Sequence, residues 1–157
     1  MSTEANVLTQ DAIPAHAIPM QAQVYVRLRH RLREVETLLD QRSRGELVDE
    51  TGDERVATRQ TLDAQATLLR DIAERAQVVP ISSRAIVGSV VYTRASEDAP
   101  LERYEIVLPT ESDPAEKKIA FDSPIGRALL GREVGELATV ETPRGTRELR
   151  VMVVKHE

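Results

Sequence analysis

Residues 19–40 read PMQAQVYVRLRHRLREVETLLD, and the apolar side chains Tyr25, Leu28, Leu32, Val35 and Leu39 recur at alternating intervals of three and four. That spacing is the seam of a coiled coil, one narrow apolar stripe on an otherwise polar helix. Pro19 suits the first turn of such a helix, where its missing N–H would have no partner. The pattern stops and then resumes in 62–76, LDAQATLLRDIAERA, with Leu62, Ala66, Leu69, Ala73 and Ala76 again at intervals of four and three. Two helices joined by a short connection return on one another, so the stretch predicts an antiparallel helical hairpin. Gly45 or Gly52 is available for the reversal, and Thr51 or Asp53 for the cap of the second helix. Each arm of about 25 residues would reach about 35–40 Å at 1.5 Å per residue. The common fate of an amphipathic helix is burial against a globular core. A projecting hairpin fits better, because the seam is narrow and residues 42–58 hold few apolar side chains.

Between the arms lie Glu46, Asp49, Glu50, Asp53 and Glu54, five carboxylates in nine residues with no Lys or Arg among them. From Met20 to Gly45, by contrast, six arginines stand against three acids. A basic shaft thus carries an acidic tip. Crowded carboxylates repel one another, and a cation or a basic partner relieves that repulsion. The plain alternative is a pair of solvated helix faces kept soluble by charge.

Composition removes several classes of function. The 157 residues hold four aromatics, Tyr25, Tyr92, Tyr104 and Phe121, too few for a stacking pocket for a flavin, a sugar or single-stranded nucleic acid. The absence of cysteine excludes disulfides, thiolate catalysis and cysteine-based zinc sites. His16, His30 and His156 lack metal-ligand spacing. No apolar run reaches the roughly 20 residues of a membrane span, and the N-terminus has no signal-peptide core. The chain reads as soluble and cytoplasmic, without membrane contact. A net charge of −5 argues against an independent, sequence-specific duplex-DNA binder.

Residues 1–17 read as a disordered tail and 18–78 as the hairpin; beyond Val79-Pro80 the period changes to two. Ala85 to Thr93, Tyr104 to Pro109 and Lys118 to Phe121 are expected strands. Leu137 to Glu141 and Arg147 to Val154 alternate across the turn Thr142-Pro143-Arg144-Gly145. Within this pattern, Ser123-Pro124-Ile125-Gly126-Arg127-Ala128-Leu129-Leu130-Gly131 is a short helix with its own punctuation: Ser123 at the cap, Pro124 at the first position and Gly131 at the end. Residues 79–157 therefore predict a small antiparallel sheet domain with one helix. The fold class is α+β, a coiled-coil hairpin followed by this sheet domain.

The run Ser123 to Gly131, with Val134-Gly135 and the turn at Thr142 to Gly145, resembles the C-terminal domain of the bacterial Gre transcription elongation factors, and Ile18-Pro19-Met20 is similar to their approach to the first helix. The likeness covers most of the chain from residue 18. It implies an FKBP-like C-terminal domain that docks on RNA polymerase and a coiled coil that enters the polymerase's secondary channel. It further implies that tip acids help hold a magnesium ion in the polymerase active site, so that the polymerase itself cleaves backtracked RNA. On this resemblance Asp53, with Glu50, Glu54 or Asp49, is the tip contact and Asp53 shares the magnesium. Ser123, Pro124, Ile125 and Arg127 dock the polymerase, and Arg27 and Arg31 meet nascent RNA or the channel wall. The chain is then no enzyme and needs no cofactor of its own. Capping and packing alone would account for Ser123, Pro124 and Ile125, and least for Arg127.

One departure from the family pattern stands out. Cleavage-stimulating members carry a tip of the form G-D-x-x-E-N. Here Gly52-Asp53 matches its first half, but Val56 and Ala57 stand where the second acid and the Asn belong. The arms are also about half a turn shorter, which withdraws the tip by about 3 Å. Two readings stay open: a factor that stimulates cleavage, and one that occupies the channel and inhibits transcription. A third, a protein like the regulators of nucleoside diphosphate kinase, shares the C-terminal domain but has a shorter coiled coil than this hairpin. A prolyl isomerase is disfavoured, since only three aromatics lie past residue 79.

Overall fold

A computed structural model describes residues 16–44 and 52–156, the side chains of 52–58 excepted. The chain forms two compact units, one built on 22–77 and the other on 78–156 together with Pro19–Gln21. The expected tail lies almost wholly outside the described residues.

The helical unit consists of α1 (Ala22–Ser43) and α2 (Gly52–Arg75). At 1.5 Å per residue they are about 33 and 36 Å long. Val24, Leu28, Leu32 and Val35 of α1 and Ala66, Leu69 and Ile72 of α2 are buried, and the two helices pack along these residues. The seam is shifted slightly from its expected course. Val24 takes the innermost place ahead of half-buried Tyr25, and Ile72 does so ahead of Ala73. A straight helix turns 100° per residue, so neighbouring positions compete for the same stripe: Val24 has no polar atom to satisfy where Tyr25 has a hydroxyl, and Ile72 buries more apolar surface than Ala73. Each large aliphatic buried in this seam contributes about 1.5–3 kcal/mol.

Pro19 does not open the helix. It lies in a short strand β1 (Ile18–Met20), which pairs with β2 (Ala76–Val78). Its carbonyl accepts a hydrogen bond from the Val87 amide at 3.0 Å. Proline is tolerated in so short a strand because the single N–H it lacks removes only one ladder bond.

The second unit is a five-stranded sheet in the order β5-β4-β3-β7-β6, formed by β3 (Ser89–Arg94), β4 (Glu102–Val107), β5 (Lys118–Ala120), β6 (Leu137–Thr142) and β7 (Gly145–His156). Neighbours pair antiparallel, for example Val91 with Tyr104 and Val140 with Arg147, and β3 and β7 slip register between Tyr92 and Thr93. The edge strand β5 is the exception: it pairs parallel to β4, with Ile106 opposite Ile119. Between β4 and β5 lie two 3-10 turns, Pro109–Glu111 and Pro114–Glu116, and Lys117 in the left-handed conformation at φ 60°. These turns carry the chain back alongside the second half of β4, Glu105 to Val107, which periodicity of two cannot indicate. The β6–β7 turn falls where expected, with Thr142 Oγ1 donating to the Gly145 carbonyl at 2.6 Å and Gly145 at φ +125°.

The strand expected over Ala85 to Thr93 begins only at Ser89. Gly88, at φ +105°, breaks it. Ala85, Ile86 and Val87 are still buried, but Ala85 exchanges hydrogen bonds with Gly131 and Arg132 at 2.7 and 2.8 Å rather than joining the ladder. A run of buried apolar residues has the same alternating signature whether its backbone bonds go to a strand or to a loop.

Candidate functional site

Glu46, Asp49 and Glu50 lie outside the described residues. Asp53 and Glu54 belong to the first turn of α2 by backbone, with their side chains outside the described set. Acidic residues in a helix's first turn also suit the positive end of its dipole, a structural use of two of the five acids. Among the described residues no three His, Cys, Asp or Glu stand together as a metal site.

The shaft is better defined. Arg27, Arg29, Arg31 and Arg33 are all exposed on α1, and Arg27 and Arg31, four apart, lie on one side of it. Arg31 Nη1 stands 3.4 Å from Glu34, whose other oxygen is 3.6 Å from His30 Nδ1. These pairs are open to water and worth little to stability. Across the hairpin, Arg70 Nε donates to Glu36 at 3.0 Å. Arg29, Arg33 and Arg70 border a groove of about 250 Å³ between the helices, flanked by Glu36 and Glu74. The basic surface is therefore interleaved with acids, which a count of charges along the sequence does not reveal.

In the sheet unit, α3 (Pro124–Leu129) is a single capped turn and a half. Ser123 Oγ accepts from the Gly126 amide at 3.1 Å and donates to the Ala120 carbonyl at 2.7 Å; the Ser123 amide donates to that same carbonyl at 3.0 Å. Pro124 occupies the first helical position and is exposed, Ile125 is half-buried and Arg127 exposed. Gly126 is fixed by contact: a Cβ there would stand 2.0 Å from the Ala120 oxygen. The helix is thus pressed onto the end of β5, presenting Pro124 and Arg127 to solvent. Gly126 is the positioning residue that the sequence reading passed over; a glycine inside a helix that begins with Ser-Pro was its signal.

Two packed helices, the first rich in exposed arginines, in one chain with a five-stranded sheet bearing a capped short helix, define a class of two-unit α+β proteins. Residues 81–156 match the family described as transcription elongation factor, GreA/GreB, C-term. Transcription elongation factor GreA of Bacillus cytotoxicus is 32% identical over 101 residues, covering 64% of this chain and 60% of the relative. GreA of Mycoplasmoides gallisepticum is 29% identical over 143 residues, 88% of each chain. Among solved structures, GreA factor homolog 1 (Gfh1) of Thermus thermophilus is 28% identical, covering 88% of this chain and 98% of its own, with a TM-score of 0.40. Residues 81–156 are thus similar to the C-terminal domain of GreA/GreB elongation factors, and the chain spans about 60% of the length of the Bacillus relative.

Proposed function

We propose that this chain is an accessory transcription elongation factor that binds RNA polymerase, its hairpin entering the secondary channel and its acidic stretch directed at the magnesium of the polymerase active site. Support comes from one conjunction: a match to the GreA/GreB C-terminal domain at 81–156 in the same chain as two helices whose junction, from Glu46 to Glu54, carries five carboxylates without a base, the last two in the first turn of α2. The chain is not itself an enzyme in this reading and carries no cofactor of its own. Asp53, with Glu50, Glu54 or Asp49, supplies carboxylate oxygens. Magnesium suits such donors because it keeps several waters and takes only one or two protein carboxylates. Ser123, Pro124, Ile125 and Arg127 form the docking turn, and Arg27 and Arg31 meet nascent RNA or the channel wall. The protein acts in the cytoplasm, without sequence-specific DNA binding of its own.

A second reading rests on one observation, Val56 and Ala57 where a second acid and an Asn complete the family's cleavage motif. On it the hairpin occupies the channel without promoting cleavage. The experiment adds the protein to a stalled, backtracked elongation complex with magnesium. Shortened RNA that disappears with Asp53→Ala supports the cleaving factor. Binding that slows synthesis without shortening RNA supports the channel-occupying factor. Failure to bind polymerase overturns both.

A further inference from the structure

The seam of the hairpin is uneven along its length. Among the described residues, the buried seam positions are Val24, Leu28, Leu32 and Val35 on α1 and Ala66, Leu69 and Ile72 on α2. Arg70, paired with Glu36 across the hairpin, fixes the register, so the turns of α1 beyond Glu36 run beside those of α2 before Arg70. There the seam changes character. Leu39 and Leu62 are only half-buried, Leu38 is 36% exposed, and Arg42 takes the seam position after Leu39. Gln65 is half-buried, with its Oε1 enclosed and making no hydrogen bond among the described residues. A buried carbonyl without a donor is less stable than the same group in water. Three hydroxyls act in the same direction. Thr37 Oγ1 donates to the Arg33 carbonyl at 2.8 Å, Ser43 Oγ to the Leu39 carbonyl at 3.0 Å and Thr67 Oγ1 to the Asp63 carbonyl at 2.9 Å. Such bonds to the carbonyl four residues back slightly destabilise a helix and often bend it. No Ser or Thr lies in 22–35 or 68–75.

We propose that the hairpin is built in two parts: a dry base, 24–35 with 66–75, and a weakly sealed distal part, 38–43 with 59–65, that opens and recloses while the base stays shut. Gln65 sets how often it opens. The free energy of a local opening follows the apolar surface it exposes and the polar groups it returns to water. Opening the base exposes the seven buried seam residues. Opening the distal part exposes half-buried leucines and rehydrates the Gln65 carbonyl, which favours the open form. Asp40 and Arg44, 2.8 Å apart, join two turns of α1 and do not tie it to α2. The cross-helix pair of Arg70 with Glu36 falls at the border between the two parts. Any surface that covers the distal part and binds only its closed form shifts the population towards that form. On the polymerase-binding reading, the end of the hairpin that enters deepest closes as it enters, and its affinity is lowered by the fraction of time it stands open. The two-part hairpin does not depend on that reading, and a protein that never met polymerase would show it equally.

The test is native-state amide hydrogen exchange on the full chain, uniformly 15N-labelled, in heavy water with low concentrations of urea. Amides of 38–42 and 60–64 should exchange about tenfold or more faster than those of 28–35 and 66–72, and should share one shallow urea dependence. Gln65→Leu, which puts apolar surface where the orphaned carbonyl stood, should slow the distal set about tenfold and leave the base set unchanged. Should the branched side chain crowd the seam, Gln65→Met, closer in shape to glutamine, should still slow the distal set severalfold. Simple fraying of the helix ends would instead give rates that fall steadily away from residue 43 and ignore residue 65. That gradient, a single rate and urea dependence shared by both sets, or distal rates unmoved by both Gln65 variants each overturns the proposal.

Discussion

Replacing Gly126 by alanine sets two well-measured effects against each other. Helix propensity alone favours the change by about 1 kcal/mol, since glycine is among the poorest helix formers and alanine the best. The geometry says the opposite. The new Cβ would lie 2.0 Å from the Ala120 carbonyl oxygen and 3.0 Å from the carbonyl carbons of Ala120 and Phe121, whereas ordinary contact begins near 3.4 Å. The helix and the end of β5 must part by about 1.4 Å, the difference between 2.0 and 3.4 Å. All the atoms concerned are backbone, so no side-chain rotation relieves the clash.

The separation also strains the two hydrogen bonds that Ser123 makes to the same carbonyl, at 2.7 and 3.0 Å. Overpacking of this kind costs about 1–3 kcal/mol and each weakened hydrogen bond about 1 kcal/mol. Net of the propensity gain, Gly126→Ala should destabilise the sheet unit by about 2–4 kcal/mol, lowering its urea midpoint by about 1–2 M if m is near 2 kcal/mol/M. Because the chain has two units, the transition is best followed through β6 and β7 amide signals rather than total ellipticity. A midpoint that is unchanged or raised would refute the close approach of α3 to β5.

Ser123→Ala removes the cap of α3 and should cost about 1 kcal/mol in the same urea measurement. Leu69→Ala opens a cavity in the hairpin seam, where Leu69 is fully buried, and should cost about 2–5 kcal/mol, read as an earlier loss of helical ellipticity. The Arg70–Glu36 pair joins the two helices but is about half exposed, so a double-mutant cycle should return less than about 1 kcal/mol, shrinking further in salt. Tyr104 carries a pKa raised to about 12 by burial and then by its hydrogen bond to Glu102. The folded state therefore keeps a phenolic proton that the unfolded chain loses near pH 10, so stability should hold below pH 10 and fall as pH rises from 10 towards 12. Phenolate absorbance should show a late-titrating tyrosine that moves earlier in Glu102→Gln.

Much of this architecture is legible in one dimension because it obeys local rules. The two seams, the change of period after Val79-Pro80, the Ser-Pro start of α3 and the Pro-Gly turn between β6 and β7 all depend on neighbours within a few residues. What was misread depends on distant partners. Pro19 satisfies every local rule for a helix start, yet it lies in β1 because its carbonyl meets Val87 and its strand meets residues 76–78. Ala85 to Val87 are as apolar as a strand, but their backbone bonds go to Gly131 and Arg132 beyond α3, and to Pro19.

The candidate site divides along the same line. The acids of 46–54 and the departure at Val56 are facts of sequence, complete without coordinates. Sequence also determined the α+β class and the Gre-like motif at Ser123 to Gly131. Only the tertiary structure decided that β5 runs parallel to β4, that Gly126 is held against the Ala120 carbonyl, and that Arg94 and Arg150, 56 positions apart, face each other across one ladder. Periodicity and capping report what a residue does to its own segment. Close backbone approach, strand direction and like charges brought together are properties of pairs, and they come into being only when the chain has folded.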